Sequence, residues 1–223
     1  MYFWQDRGFG IIEINPRTLI NDANSSTNSQ ITTGTGLPLQ RHEYISTVVG
    51  TKHQGSTVSS SDKLFWFDVN TKKIYTYSQG RETPFSDVKG LYSFLNKNIT
   101  GNIQDIDKPT YKSEGNDTIG INGIAATYDY KRHKAIFTFH SGVNTGIGTA
   151  SQNSFTVVIN ELMDIFVTKH SFLPRIYIND YKYVFSTDNN AGTDPALRNI
   201  YIHDIGNYCE YYTIIYPTYL KFI

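Results

Sequence analysis

The chain repeats one pattern: an apolar segment of strand-like residues, an Asp or Asn, a few polar residues, then a second apolar segment. The pattern is clearest in LFWFDVNTKKIYTY and AATYDYKRHKAIFTF, and it returns more faintly in VVINELMDIFVT and RIYINDYKYVFS. It is typical of β-hairpins in which the acid or amide takes the turn position and hydrogen-bonds the backbone two residues on. The turn therefore accounts for Asp68, Asn160 and Asn179 without any chemistry.

Many of these segments carry bulky residues at consecutive positions instead of strict alternation, as in Phe65-Trp66-Phe67 and Ile136-Phe137. Such segments indicate sheets that are covered on both faces. Repeated antiparallel hairpins whose sheets pack face to face predict an all-β fold that is β-propeller-like, with a β-sandwich as the alternative. The spacing of the segments is too uneven to give a blade count.

One short amphipathic helix is predicted near residues 86–96. Ser86 or Asp87 can cap it, and its apolar positions follow the spacing of one helical face. Gly90 weakens this helix by about 1 kcal/mol relative to Ala. The apolar positions are Val88, Leu91, Tyr92 and Leu95.

The 223 residues fit one all-β domain spanning 1–223 or a fragment of a longer chain, which we suspect because both ends are strand-like and abrupt. Residues 21–38 are mostly Asn, Ser, Thr and Gly, and we expect a surface loop there. Residues 98–122 turn polar again and form a second excursion.

Charge and cysteine content narrow the function classes. Twenty Lys and Arg balance twenty Asp and Glu, and no basic block exceeds a pair, which disfavours specific nucleic-acid binding. No apolar run reaches eighteen residues, so no membrane insertion is expected. The single cysteine, Cys209, forms no internal disulfide and is interpreted as a small, semi-buried apolar residue.

No motif for a catalytic, cofactor-binding or metal site is present, and none of the three is predicted. The chain has no GxSxG, P-loop or GxGxxG signature, and its six histidines form no HExxH or HxH pattern. His203 precedes Asp204, but adjacent strand residues face opposite ways and would not pair. Residues 188–194 space oxygen ligands as a calcium loop does but lack its closing Glu, so we interpret them as a polar loop.

Two alternatives to a structural role stay open. A glycoside hydrolase needs two convergent carboxylates, and Asp68, Asp129, Glu161 and Asp204 are candidates on several strands. A glycan- or receptor-binding module would use exposed tyrosines, which offer contact area at low entropic cost. Simple strand packing explains any single tyrosine better, but as a set the tyrosines favour interaction over catalysis. The tyrosines considered are 75, 77, 92, 128, 130, 177, 181, 183, 201, 208, 211, 212, 216 and 219.

The order of the segments resembles a known family. The resemblance runs from about Gln40 to Tyr212. It is most specific in two places. The first is the Tyr128-Asp129 hairpin with Ile136-Phe137-Thr138-Phe139, and the second is Asn160-Glu161 followed by Phe166 and by Ser171-Phe172-Leu173-Pro174. The chain is similar here to the tail stabilisation or muzzle proteins of crAss-like bacteriophages. It looks like the C-terminal part of that family.

The resemblance implies a structural virion protein at the distal end of a short tail, made in the bacterial host cytoplasm. It would stabilise or close the tail tube through contacts with other tail proteins and with copies of itself, and contact with the host surface is compatible with this position. No catalytic residues are carried over. The residues expected to be architectural are Trp66, Phe67, Asp68, Asp129, Phe137, Phe139, Glu161 and Phe172. We further expect Glu161 to be a hydrogen-bonding acid that fixes one hairpin to its neighbour, worth about 1–3 kcal/mol.

Overall fold

The computed structural model describes most of the chain in two compact units, Met1–Thr51 and Lys52–Ile223. It describes residues 1–14, 18–21, 30–33, 39–88, 90–99, 123–140, 154–170, 172–174, 176–187, 200–206, 210–211 and 214–215. Only the backbone is described for some of these residues, namely 14, 18–21, 30–33, 39–40, 54, 88, 210–211 and 214–215.

The first unit contains a three-stranded antiparallel sheet and a two-stranded ribbon. The sheet has the order β1 (Tyr2–Gln5), β2 (Gly8–Ile14) and β5 (Leu39–Ser46), and the ribbon joins β3 (Thr18–Asn21) to β4 (Gln30–Thr33). The strand β4 falls inside the segment 21–38 that we expected to be a surface loop. Residues 22–29 and 34–38 lie outside the described residues, so exposure of this segment stays a prediction.

The second unit contains three larger sheets and a ribbon. The first sheet is β6 (Val58–Ser59), β7 (Leu64–Asp68), β8 (Lys73–Ser78) and β9 (Arg81–Thr83). The middle sheet is β10 (Gly123–Asp129), β11 (Lys134–His140), β12 (Phe155–Asn160) and β13 (Ile165–His170). The last sheet is β14 (Ile176–Asn179), β15 (Val184–Thr187) and β16 (Ile200–Ile202), and the ribbon pairs β17 (Glu210–Tyr211) with β18 (Ile214–Ile215). A 3₁₀ turn, Gln54–Ser56, precedes β6.

The main core lies between the first and the middle sheet. Phe67 meets Phe139 edge to face at 5.0 Å, and Phe139 stacks on Phe155 at 5.0 Å. These rings and Phe137 are at most 1% exposed. Burying a Phe side chain contributes about 1.5–3 kcal/mol, so this cluster is a main source of stability.

Strands β10, β11 and β12 of the middle sheet are covered on both faces, as their consecutive bulky residues predicted, whereas the edge strand β13 alternates exposed and half-buried residues. The second face of the middle sheet meets the last sheet, where the Tyr177 hydroxyl lies 2.7 Å from Thr138 Oγ1. The opening strands of the three sheets are also neighbours, because β10 contacts both β6 and β14. The all-β prediction is confirmed. The described residues show stacked sheets and no closed ring, so the propeller stays a prediction.

The prediction of a single helix near 86–96 is wrong. This segment forms two short helices, α1 (Phe85–Val88) and α2 (Tyr92–Asn98). Gly90 lies between them with a φ of +72°, a left-handed conformation that ends the first helix. Ser86 lies inside α1, and its hydroxyl accepts a hydrogen bond from the Ile74 N–H at 2.7 Å instead of capping.

The apolar positions of the predicted helix are only partly correct. Leu91 and Leu95 are buried in the core, whereas Tyr92 is exposed beneath the Lys73 ammonium, 4.8 Å from its ring centre. The side chain of Val88 lies outside the described residues. Of the polar excursion at 98–122, Asn98 ends α2, Ile99 is buried, and 100–122 are outside the described residues. No described helix is long and apolar enough to cross a membrane.

Candidate functional site

Four hairpins of the second unit share one kind of turn. In each, the last residue of the first strand is an Asp or Asn whose side-chain oxygen accepts a hydrogen bond from a backbone N–H two or three residues on. The prediction from the repeated pattern is therefore confirmed. The bonds are Asp68 to Asn70 at 2.8 Å, Asp129 to Lys131 at 3.0 Å, Asn160 to Met163 at 2.9 Å and Asn179 to Tyr181 at 2.8 Å.

Three of these turns also end in a left-handed residue. Lys72, His133 and Asp164 have φ values of 55°, 52° and 53°, and each follows its turn acid or amide by four positions. Non-glycine residues adopt this conformation at a cost, so the surrounding hydrogen bonds have to hold it. Each of the three turns therefore has a side-chain hydrogen bond at its start and a left-handed residue at its end.

Several turns meet at one end of the sheets. The Glu161 N–H donates to the His133 carbonyl at 2.9 Å, which joins the β12–β13 turn to the β10–β11 turn. The rings of Tyr130 and Tyr181 lie 4.6 Å apart, which brings the β14–β15 turn to the same place. We call this set the tip cluster: residues 60–63, 129–133, 161–164, 179–183 and 204–206.

Glu161 connects the first and middle sheets inside the tip cluster. One carboxylate oxygen accepts a hydrogen bond from the Ser60 hydroxyl at 2.6 Å, and the other accepts one from the Tyr128 hydroxyl. Burial raises the pKa of Tyr128 well above its ordinary value, and the bond to Glu161 raises it further. Tyr128 thus stays a neutral donor, as a permanent hydrogen bond to a carboxylate requires.

Arg132 connects the middle and last sheets at the same end. Its Nη1 binds Asp129 Oδ2 at 3.2 Å and also binds Asp204 Oδ2. Nearby, the Asn179 amide donates to the Tyr128 carbonyl. The two sheets are therefore joined by charge-assisted and neutral hydrogen bonds, which are directional and limit sliding of one sheet on the other.

Histidines line the contact between the middle and last sheets. His203 Nε2 lies 2.6 Å from the Ser186 hydroxyl, and His140 Nε2 lies 2.8 Å from the Pro174 carbonyl. Burial lowers the pKa of His170 and of His203. Among the described residues, no three His, Cys, Asp or Glu side chains are grouped as a metal site requires.

The eight residues expected to be architectural occupy three kinds of place. Phe67, Phe137 and Phe139 belong to the core, and Trp66 is buried on the other face of the first sheet, stacked on Tyr75 at 5.8 Å. The Phe172 ring contacts His170 of the middle sheet and His203, which follows the last strand of the last sheet. Asp129 and Glu161 belong to the tip cluster. Asp68 is buried at the β7–β8 turn, and burial raises its pKa despite the turn hydrogen bonds.

The carboxylates considered for hydrolysis are engaged in turn and ion-pair contacts. Asp129 and Asp204 come together on the Arg132 guanidinium, and Glu161 is shared between two hydroxyls. Asp68 lies elsewhere, because β7 runs away from the tip cluster toward its own turn at 69–72. Residues 188–194, considered for calcium, lie outside the described residues.

The tyrosines differ in exposure, and Tyr77, Tyr130, Tyr177, Tyr183 and Tyr201 are half-buried. Tyr75 and Tyr128 are buried, as strand packing predicts, whereas Tyr92 and Tyr181 are exposed. The side chains of residues 208, 211, 212, 216 and 219 are outside the described residues.

Sequence reasoning missed the most unusual feature of the tip cluster, the exposed pair Leu162 and Met163. The equivalent positions of the sister turns hold Asn70-Thr71 and Lys131-Arg132, so the apolar pair breaks the internal repeat. Aligning the repeats against each other would have found it. The apolar character of the two residues does not by itself show that their side chains are exposed.

Comparison with known protein families finds one match over most of the chain. Residues 1–190 match the model of a family described as the crassvirus muzzle protein. The chain belongs to the crassvirus muzzle protein family. Membership of this family implies that the chain is a structural protein of the virion. A search of curated proteins returned no match.

The muzzle match begins and ends earlier than the resemblance seen in the sequence. We placed that resemblance at Gln40 to Tyr212, whereas the family model covers 1–190 and so includes the whole first unit. The last strand of the last sheet, β16, lies beyond the matched residues.

Proposed function

We propose that the chain stabilises or closes the distal end of the tail tube of a short-tailed phage through protein–protein contacts. The observation that carries the proposal is the tip cluster, in a chain of the muzzle family. Hydrogen bonds and an ion pair of Glu161, Arg132 and Asn179 join three sheets there, so the sheets resist movement relative to one another. Rigidity of this kind suits a part that must hold a tube shut until the genome leaves.

Contacts with other tail proteins and with copies of the chain would complete the function. Modest single interfaces add up when many subunits are held in one symmetric assembly. We further propose that the three stacked sheets are successive blades of a propeller-like arrangement. The adjacency of the opening strands β6, β10 and β14 supports it, since the inner strands of neighbouring blades lie around a common axis.

A structural role fits the carboxylates better than hydrolysis does. Asp129 accepts hydrogen bonds from the turn N–H groups of Lys131 and Arg132, and the Arg132 guanidinium pairs with both Asp129 and Asp204. A hydrolase needs one carboxylic acid and one free carboxylate facing the substrate. Recognition of glycans through exposed tyrosines such as Tyr181 stays a prediction, which a glycan array tests.

The proposal is tested with virions assembled in the absence of the protein. A crassvirus encoding this chain is depleted of it, and the encapsidated DNA is assayed for DNase sensitivity with and without complementation. We expect depleted particles to lose the genome prematurely and complemented particles to retain it. Depleted particles that keep their DNA and infect normally would refute the closing role.

A further inference from the structure

The contact between the middle and last sheets is rich in polar side chains and histidines. The Thr156 hydroxyl donates a hydrogen bond to the Phe172 carbonyl at 2.7 Å, and His140 Nε2 lies 2.8 Å from the Pro174 carbonyl. Thr156 and His140 are at most 4% exposed. The short segment 172–174, which leads into the last sheet, is therefore held on the middle sheet by buried hydrogen bonds.

Two further histidines meet at the Phe172 ring. His170 ends β13 of the middle sheet, and its ring centre lies 4.9 Å from that of Phe172. His203 follows β16 of the last sheet, and its ring centre lies 5.6 Å from that of Phe172. The Nε2 atom of His203 also lies 2.6 Å from the Ser186 hydroxyl. We call this set the histidine joint: His140, Thr156, His170, Phe172, Pro174, Tyr177, Ser186 and His203.

The last sheet has little apolar burial of its own. Among the described residues, the main core contains none from β14, β15 or β16. Val184 is buried, but Ser186 beside it on the same face is polar, and Ile176, Ile178 and Ile200 are exposed. Elements with few buried apolar contacts open at a lower free energy than the core of a protein. The last sheet can therefore open while the first and middle sheets stay packed on each other.

Charged and titratable groups face the histidine joint from several elements. The acids favour protonation of His203, a proton on His170 opposes it, and Lys134 opposes protonation of His170. Arg132 pairs with both acids and offsets part of their charge. The groups are Asp129 of β10, Arg132 of the β10–β11 turn, Lys134 of β11, Tyr177 of β14 and Asp204, which follows His203.

Burial outweighs these acids, and it lowers the pKa of His170 and of His203 below the ordinary value of about 6.5. An opened joint returns both rings to water, where the ordinary pKa applies. The open state therefore binds protons at a higher pH than the closed state, so opening becomes more favourable as pH falls below about 6.5. Each histidine can raise the equilibrium constant for opening by up to about tenfold per pH unit.

We propose that the last sheet is a pH-released layer, which separates from the middle sheet at the histidine joint when the solution becomes mildly acidic. The first and middle sheets stay packed on their aromatic core. The proton is the ligand of this device, and His170 and His203 are the residues that bind it. The release is a property of the folded chain, so it does not depend on the place of the chain in the virion.

Hydrogen–deuterium exchange of the full chain at pH 7.5 and pH 5.5 tests the release, with exchange times scaled to the chemical exchange rate at each pH. Peptides from residues 176–187 report on the last sheet, and peptides from 134–140 and 64–68 report on the middle and first sheets. We expect protection of 176–187 to fall about tenfold at pH 5.5, with the other two regions unchanged. An equal loss in all three regions, or no loss in 176–187, would overturn the proposal.

Single variants show whether the histidines cause the release. His203→Asn and His170→Asn each remove one titrating ring and keep a polar side chain. The matched control is His133→Asn, at an exposed turn position whose left-handed φ of 52° Asn also adopts. We expect the acid effect on 176–187 to shrink to about threefold in the first two variants and to stay at about tenfold in the control. The same acid effect in all three variants would refute the assignment to His170 and His203.

Each variant is compared with itself at the two pH values, so a loss of stability that is independent of pH cancels. If His203→Asn already opens the last sheet at pH 7.5, the half-buried His170 supplies the decisive comparison. An acid effect near threefold in His170→Asn then supports the proposal, and one near tenfold contradicts it.

Discussion

Replacing Glu161 by Ala removes both hydrogen bonds through which this carboxylate joins two sheets. A hydrogen bond to a charged group contributes about 1.5–3 kcal/mol, and Glu161 is half-buried, so the lower part of that range applies. Tyr128 is 3% exposed and would lose its acceptor, which costs about 1–3 kcal/mol. We therefore expect Glu161→Ala to lower the free energy of unfolding by about 2–3 kcal/mol.

The effect is measured by urea unfolding of the full chain, followed by near-UV circular dichroism. A loss of this size should lower the melting temperature by about 4–10 °C in a unit of this length. The control is Asp164→Asn, which removes the charge from the same turn and keeps a side chain that tolerates the left-handed conformation of this position. The ion pair of Asp164 with Lys63 is 3.5 Å long and half-exposed, so the cost should be about 0–1 kcal/mol.

A double-mutant cycle separates the Glu161–Tyr128 bond from the loss of packing. Tyr128→Phe removes the hydroxyl and keeps the ring, and combining it with Glu161→Ala should recover about 0.5–2 kcal/mol of coupling. Strictly additive effects, or a Glu161→Ala variant that unfolds with the parent, would show that this carboxylate does not join the sheets.

Three further predictions test the core, the helix break and the histidines. Phe137→Ala should cost about 3–5 kcal/mol in a denaturant titration, because the side chain is fully buried between two sheets. Gly90→Ala should destabilise by about 1 kcal/mol, since Gly90 is left-handed, whereas a continuous helix would gain about that amount. Burial lowers the pKa of His203, so the unfolded chain binds the proton first, and stability should decrease as pH falls below about 6.5. His203→Asn should weaken this decrease between pH 7.5 and 5.5, and equal pH profiles for the two proteins would show that His203 is not responsible.

Local features of the fold were predictable from sequence because their causes are local. The Asp and Asn turn positions follow from side-chain hydrogen bonds to the next few N–H groups. The two-sided burial of β10, β11 and β12 follows from consecutive aromatic and β-branched residues such as Ile136-Phe137. These signals need no knowledge of distant residues.

The features that sequence did not predict depend on distant partners or on backbone conformation. Ser60 and Glu161 bond across 101 positions of chain, and no pattern in either segment names the other. Gly90 reads as a tolerated helix residue until its positive φ is seen. Leu162 and Met163 lie where the other turns of the pattern have polar residues, and their exposure follows from the turn geometry that surrounds them.

A reconstruction of the virion tail tests the central claim most directly. The second unit, with its three stacked sheets, is fitted into density from purified crassvirus particles that carry this chain. The account predicts that it occupies repeated positions at the distal end of the tail. Density for the chain in the capsid, or its absence from the tail, would contradict the account.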